Sequence, residues 1–354
     1  MFKKIAISVL FALLALAVPA AASAASGGAI VFSRMTDRLP LGADGEPVPE
    51  PPVGGLFAFK HGDTIQLTED PADREPSFSA DGRKIAFVRK GDIWVMRADG
   101  SGQLQLTSGS AIDSRPLVSP NGRYVLFQRR ELSRSGRDLY TVDIRGGAER
   151  LLTGTPADEH YAAFSPDGRQ IVYVRKSKGG RGDIWSIRPS GIDVHRLTRT
   201  PRINDFSPHY LGKTIVFSRG SNWGRKDPAG IYAMDRRGRH VRKLIARAPS
   251  IRLEDVNART RTILFCRPRG LWVKQFGGQS RRIVNFSKGE STAGVFSPNG
   301  RRIAALNGEL WGQSLWVLNA ANGRRLATVT SASNMEGGES NGTIGRVVAW
   351  QPVS

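Results

Sequence analysis

The sequence predicts an all-β chain folded as a seven-bladed β-propeller of four-stranded antiparallel blades, and three observations carry that prediction. A short apolar strand, a polar loop, and then a small or acidic residue followed by an aliphatic and an aromatic one recur seven times. Ile85-Ala86-Phe87-Val88-Arg89 followed by Asp92-Ile93-Trp94 is an example. The apolar strands open at Ile30, Ile85, Val125, Ile171, Ile215, Ile263 and Ile303, giving steps of 55, 40, 46, 44, 48 and 40 residues, the spacing of propeller blades. Finally, the last residues supply a strand that the first repeat lacks. A repeat running from about Ile30 to the end of a 354-residue chain argues for one closed unit rather than two domains.

Residues 73–107 serve as the type repeat. Pro76-Ser77-Phe78-Ser79 alternates like a half-buried strand, Ala80-Asp81-Gly82-Arg83 turns it, and Ile85 to Arg89 returns antiparallel. Asp92 to Arg97 makes the third strand, Ala98 to Gly102 the next turn, and Gln103 to Thr107 the fourth strand. Turns of the type Asp-Gly or Asn-Gly recur at Asp81-Gly82, Asn121-Gly122, Asp167-Gly168 and Asn299-Gly300, where positive φ selects Gly and Asn. Fourth strands end in Leu67-Thr68, Leu106-Thr107, Leu152-Thr153 and Leu197-Thr198. The first repeat starts at its second strand, Ile30 to Arg34, and Val348-Ala349-Trp350-Gln351-Pro352 matches the missing first one. The C-terminal strand is therefore expected to close the first blade and hide its edge.

Met1-Phe2-Lys3-Lys4, an uncharged apolar run from Ile5 to Val18, and Ala22 and Ala24 at an Ala-x-Ala site read as a signal peptide over residues 1–24, with the propeller over 27–354. The expectation is an exported protein, periplasmic or extracellular, with no membrane span after cleavage. An uncleaved N-terminal anchor is the competing reading, because the uncharged stretch continues to Ser33. The one cysteine, Cys266, lies in a predicted strand, so no intrachain disulfide forms and the core supplies the stability.

The formal charge is +21, and loss of Lys3 and Lys4 leaves 50 basic against 31 acidic residues. Such a field favours anionic partners and resists self-association, which points to a monomer. Nucleic acid is the usual inference from so basic a chain, but an exported protein meets little of it. The expected partner is a protein or an anionic envelope polymer.

The motif Phe164-Ser165-Pro166-Asp167-Gly168 with Asp183-Ile184-Trp185, and its variants at Val118-Ser119-Pro120-Asn121-Gly122 and Phe296-Ser297-Pro298-Asn299-Gly300, resembles the TolB-type, WD40-like propeller repeat. The resemblance covers nearly all of the expected mature chain. It implies the fold strongly and the function weakly, because one scaffold serves unrelated roles. For TolB itself the resemblance implies an α/β domain ahead of six blades, and for the peptidases sharing this propeller a hydrolase domain. Seven repeats directly after an apolar leader point to a relative of TolB rather than to TolB itself.

Antiparallel order within a blade puts the loop entering the first strand and the loop leaving the second on one face. Asp73, Asp113, Glu159 and Asp205 stand at the first of these loops, and Arg34, Arg89, Arg129, Arg175, Arg219 and Arg267 at the second, with Asn307 replacing arginine in the seventh repeat. Each acid is expected to cap its loop and pair with the arginine of its own blade. This tunnel-face acid ring is read as structural or cation-binding, with Asp73, Asp113, Glu159 and Asp205 as its members. Pairing fails around repeats six, seven and one: Gly345 is expected opposite Arg34, Ser291 beside Asn307, and only Glu254 or Asp255 near Arg267. The Pro-, Gly- and Ser-rich insertions 35–54 and 331–343 fall in the same sector. Candidate ligand-binding residues are Arg34, Arg267 and Arg346 there, and Trp223 beside Arg225 and Lys226 in another loop.

Catalytic signals are weak. Gly338-Glu339-Ser340-Asn341-Gly342 fits Gly-x-Ser-x-Gly but lacks the strand before and helix after it. His61, His160, His195, His209 and His240 show no metal-ligand spacing, so no metal and no cofactor are assigned. Phe57, Trp94, Tyr140, Trp185, Tyr232, Trp272 and Trp316 fill one position in all seven repeats and read as packing between blades. The function expected is a non-catalytic binding or assembly module using its loop-rich face. The alternative is a carbohydrate-active lyase or hydrolase working at the tunnel mouth.

Overall fold

The computed structural model describes residues 28–36, 53–200, 203–220, 229–248, 251–267, 270–285, 291–309, 312–331 and 343–352. The leader at 1–24, Trp223, and most of the insertions 35–54 and 331–343 lie outside these residues. Seven four-stranded antiparallel sheets form the chain. In blade 2 the strands run from the inside outward as Arg74–Phe78, Lys84–Arg89, Asp92–Arg97 and Leu104–Gln105. Among the described residues no helix is long and apolar enough to cross a membrane.

Blade 1 takes its innermost strand, Thr343–Trp350, from the C-terminus; Ile30–Thr36, Val53–Lys60 and Asp63–Gln66 complete it. Ile30 pairs with Trp350 and Phe32 with Val348. The same segment fastens both neighbours. The Trp350 indole donates to the Val295 carbonyl of blade 7 at 3.2 Å, and the Gln351 amide donates to the Gly82 carbonyl of blade 2 at 2.9 Å.

Alternation along a strand sends successive side chains to opposite faces of the blade, and the second strands, apolar at every central position, use both. In blade 2, Ile85 and Phe87 pack toward blade 1 with Val31 and Leu56, while Ala86 and Val88 pack toward blade 3 with Val125 and Phe127. One such cluster fills each of the seven interfaces between adjacent blades. The aromatics expected to pack between blades do so, Trp94, Trp185, Trp272 and Trp316 among them. The inner hairpins are fixed by the motif serines: Ser79, Ser119, Ser165 and Ser297 each donate a hydroxyl hydrogen bond of 2.6 to 2.9 Å to the Asp or Asn two residues on. Gly82, Gly122, Gly168 and Gly300 follow at φ between 67° and 70°, a conformation that costs glycine little.

The innermost strands differ among themselves. In blades 2 to 5 each carries one extra residue, a bulge, against its neighbour. There Glu75, Arg115, Tyr161 and Ser207 adopt φ between 49° and 56°. Three of the four precede a proline, Pro76, Pro116 and Pro208, whose missing N–H cannot serve the ladder. Blade 6 has a bulge, between Leu253 and Asp255, with no such residue; blade 7 pairs without interruption from Ser291 to Phe296.

Candidate arginine rim

The bulge places an acid directly across from the last but one residue of the second strand: Asp113 opposite Arg129, Glu159 opposite Arg175, Asp205 opposite Arg219. Asp73 stands just ahead of Arg74, which faces Val88. Arg89 and Asp73 meet through two hydrogen bonds of 2.7 Å, Arg129 and Asp113 through bonds of 2.7 and 2.8 Å, and Arg219 and Asp205 through bonds of 2.6 and 2.9 Å. The carboxylate side chains of these pairs are at most 1% exposed, and charge-assisted two-point contact is the strong form of this interaction. The hydrogen bond to Asp73 holds the Arg89 guanidinium above its ordinary pKa.

Blade 4 departs from this geometry. Glu159 receives the Arg175 Nε–H at 2.9 Å and the Thr155 hydroxyl at 2.5 Å on one oxygen, and its other oxygen, also buried, accepts nothing. Arg175 turns its Nη2 to the Tyr173 hydroxyl instead, at 3.0 Å. Burial pushes the Glu159 carboxyl above its ordinary value of 4.5, against the lowering effect of Thr155 and Arg175.

The arginines also lie on an aromatic shelf built by the second and third strands. Arg129 sits 5.3 Å from the Phe127 ring and 4.9 Å from Tyr140, Arg219 5.2 Å from Phe217 and 5.0 Å from Tyr232. In blade 6, Arg267 occupies the same shelf, 5.5 Å from Phe265 and 4.9 Å from Trp272. No acid meets it. The register that sets Arg252 opposite Cys266 brings Ile251, 2% exposed, to the acid's place. Glu254 is paired with Arg252, and Asp255 accepts the Phe296 N–H of blade 7 at 2.7 Å. The Arg267 Nε is buried without a hydrogen-bond partner, and so is the Asn307 Oδ1 at the corresponding place in blade 7.

In blade 1, Arg34 faces Ile344 rather than Gly345, and in blade 7 Asn307 faces Thr292 rather than Ser291. Among the described residues Arg34 makes no ion pair. Arg346 falls two residues past Ile344, in the irregular stretch of the inner strand, and its side chain lies outside the described residues. Arg267, Asn307 and Arg34 thus hold corresponding positions in three successive blades, with no carboxylate opposite any of them.

Trp223 lies outside the described residues, and His160, His209, the cysteine and the acid of the third-strand motif in blade 4 are held in structural contacts. The Asp183 carboxylate is buried among Arg196, Thr198 and Thr200. His160 lies against the Asp158 carbonyl and His209 against that of Ser207. Cys266 is buried, and desolvation pushes its thiol up to about 12. Among the described residues no group of three or more His, Cys, Asp or Glu is placed to hold a metal ion. The bulge residues with positive φ were not legible as such in the sequence, since glycine, the usual signal, is absent from all four positions.

Over 140 residues the chain is 32% identical to the Tol-Pal system protein TolB of Anaeromyxobacter sp. (strain K), a match covering 38% of this chain and 30% of that protein. The chain spans less than a third of the length of the curated relatives it matches. Among solved structures it is similar to an oligogalacturonate lyase from Vibrio parahaemolyticus, with a TM-score of 0.59 and 11% identity over 78% of this chain and 87% of that one. It is also similar to TolB from Acinetobacter baumannii, with a TM-score of 0.55 and 17% identity over 86% and 81%. No protein-family model matches the chain. Identities this low speak for the fold alone.

Proposed function

We propose that this seven-bladed propeller of TolB-like repeats is an exported, non-catalytic binding or assembly module of the cell envelope. Its loop-bearing face receives an acidic segment of a partner protein, or another anionic envelope ligand, in the sector of blades 6, 7 and 1. The observation that carries the reading is Arg267. It is held on the same aromatic shelf as its counterparts in blades 2, 3 and 5, yet Ile251 takes the place of the carboxylate and its Nε has no acceptor. A buried charged donor left without an acceptor costs about 1–3 kcal/mol, and an incoming carboxylate recovers that cost. Arg34 extends the same surface one blade beyond Asn307. The arginines of blades 2 to 5 are neutralised within the fold and have no such capacity, and the acids that neutralise them are buried, which speaks against their use in lyase or hydrolase chemistry.

The test is calorimetric titration of the full chain with a tetraglutamate peptide. Arg267→Ala and Arg34→Ala are expected to weaken binding, and Ile251→Asp, which supplies the missing carboxylate internally, to weaken it by about tenfold, the equivalent of ~1.4 kcal/mol. Affinity unchanged in all three variants would sink the proposal.

A further inference from the structure

The outer halves of the blades divide the ring differently from the rim. In blades 1 to 4 the third and outer strands with their turn (residues 53–66, 92–105, 138–151 and 182–196) carry six Lys or Arg against eight Asp or Glu. In blades 5 to 7 (229–248, 270–285 and 312–331) there are eleven against one, Asp235. The outer strands differ in length as well. Those of blades 1 to 4 have 4, 2, 2 and 2 residues, whereas Arg242–Ala248, Ser280–Asn285 and Arg325–Ser331 have 7, 6 and 7.

Little of this charge is neutralised. Arg236 reaches Asp167 and Arg239 reaches Asp235, but among the described residues Arg242, Arg261, Arg281, Arg282 and Arg325 make no ion pair. They rest on rings and a carbonyl instead. Arg242 from the outer strand of blade 5 and Arg261 from the inner hairpin of blade 6 converge on Phe276, 4.7 and 5.3 Å from its centre. Arg282 lies 5.9 Å from Trp272 and Arg325 5.1 Å from Trp316, and Arg281 donates to the Ala320 carbonyl of blade 7 at 3.0 Å. A guanidinium laid on a ring is partly ordered already and loses less freedom when it grips a carboxylate or phosphate.

Basic residues also guard long edge strands against pairing with another chain, and that need accounts for the charges on the outer strands themselves. It does not account for Arg261, which belongs to no edge strand and is brought with Arg242 to one ring, with no carboxylate among the described residues paired to either. We propose that the outer edge of blades 5 to 7 is a second binding surface, distinct from the rim, for a linear polyanion bearing a carboxylate or a phosphate on each repeat unit. Shape favours a flexible chain over a lipid surface, because the edges of successive blades lie on a convex circumference: a flat bilayer meets one blade, while a polymer bends across three.

The test uses the full chain with two probes, alginate for carboxylates and polyphosphate for phosphates, and with vesicles of anionic lipid. Affinity is measured as a function of salt. Replacing Arg242, Arg261, Arg281 and Arg282 by Gln is expected to reduce polyanion affinity about tenfold at low salt and to flatten its salt dependence, since fewer counterions are released. The matched control, Arg97, Arg145, Arg150 and Arg188 to Gln on blades 2 to 4, is expected to stay within about twofold, as the outer halves of those blades carry no excess of basic over acidic residues. The probe that binds more tightly at equal charge identifies the anionic group. The proposal is overturned if both sets lose affinity equally, if neither does, if vesicles bind as tightly as the polymers, or if the blade 5 to 7 variant aggregates while keeping its affinity. A thermal melt checks folding, and Arg281→Gln with Arg282→Gln alone, expected to lose about threefold, replaces the fourfold variant should that one unfold.

Discussion

Blades 2 to 5 and blades 6, 7 and 1 share strands, hairpins and packing, but they solve one local problem differently. In the first group the inner strand bulges by one residue and turns a buried acid onto the arginine at the end of the second strand. In the second group the acid is missing: Ile251, Thr292 and Ile344 stand at its place, while arginine persists in two blades of the three. An arginine retained without its counter-charge is a poor structural element, since burying an unpaired charge works against folding. What distinguishes the halves is therefore whether the fold itself supplies the neutralising charge: it does in blades 2 to 5, and at the corresponding places of blades 6, 7 and 1 it sets Ile251, Thr292 and Ile344 instead.

The largest effect is expected where the unpaired half is joined to itself. Removing residues 344–354 takes away most of the inner strand of blade 1 and the bonds from Trp350 and Gln351 to blades 7 and 2, and should leave a chain that shows no single cooperative transition when its melting is followed by circular dichroism. A truncated chain melting like wild type would break the account of closure. Next comes Asp205→Asn, which leaves Arg219 without its buried partner and should cost about 3–5 kcal/mol in denaturant unfolding. The matching change in the other half, Arg267→Leu, should be neutral or stabilising in the ligand-free protein, because it removes an unpaired charge. Equal losses from both substitutions would erase the distinction between the halves.

The smallest effect sharpens the comparison within the first group. The folded-state pKa of Glu159 lies above its ordinary value of 4.5, chiefly through burial, with the nearby Asp138 charge adding to the rise. The ionised form is thus penalised in the fold. That penalty is fully present above the folded pKa and disappears as pH falls toward 4.5. Wild type should gain stability relative to Glu159→Gln between neutral pH and about pH 4.5, as read from urea unfolding at a series of pH values. A difference that stays constant or runs the other way would remove Glu159 from its separate place among the four acids.

Much of this was written in the repeat itself. Strand order, the C-terminal closure and the pairing of Asp73, Asp113 and Asp205 with their arginines follow from alternation and hairpin geometry, which are local. The register in blades 7 and 1 was not legible. Counting back from Phe296 and Trp350 as from Phe78 points to Ser291 and Gly345, but the inner strand of blade 7 has no bulge and that of blade 1 carries two extra residues. Bulges answer to neighbouring strands rather than to composition, so the count slipped by one in opposite directions. The basic edge of blades 5 to 7 was visible only as net charge, because its residues come together across three sheets.

The bond between the Ala29 N–H and the Gln351 side chain spans 322 positions, and this has a consequence in time. Residues 343–350 leave the ribosome after every strand they pair with, yet they form the innermost strand of the first blade. Until they arrive, Ile30–Thr36 presents an unsatisfied edge, and the interface between blades 7 and 1 lacks Val348 and Trp350. The cost of closing so long a loop rises only with the logarithm of its length, so distance along the chain is a mild penalty. The order of events is the stricter constraint: six interfaces can assemble as the chain emerges, but the ring locks in one final step, and a nascent chain stalled before residue 343 remains an open arc.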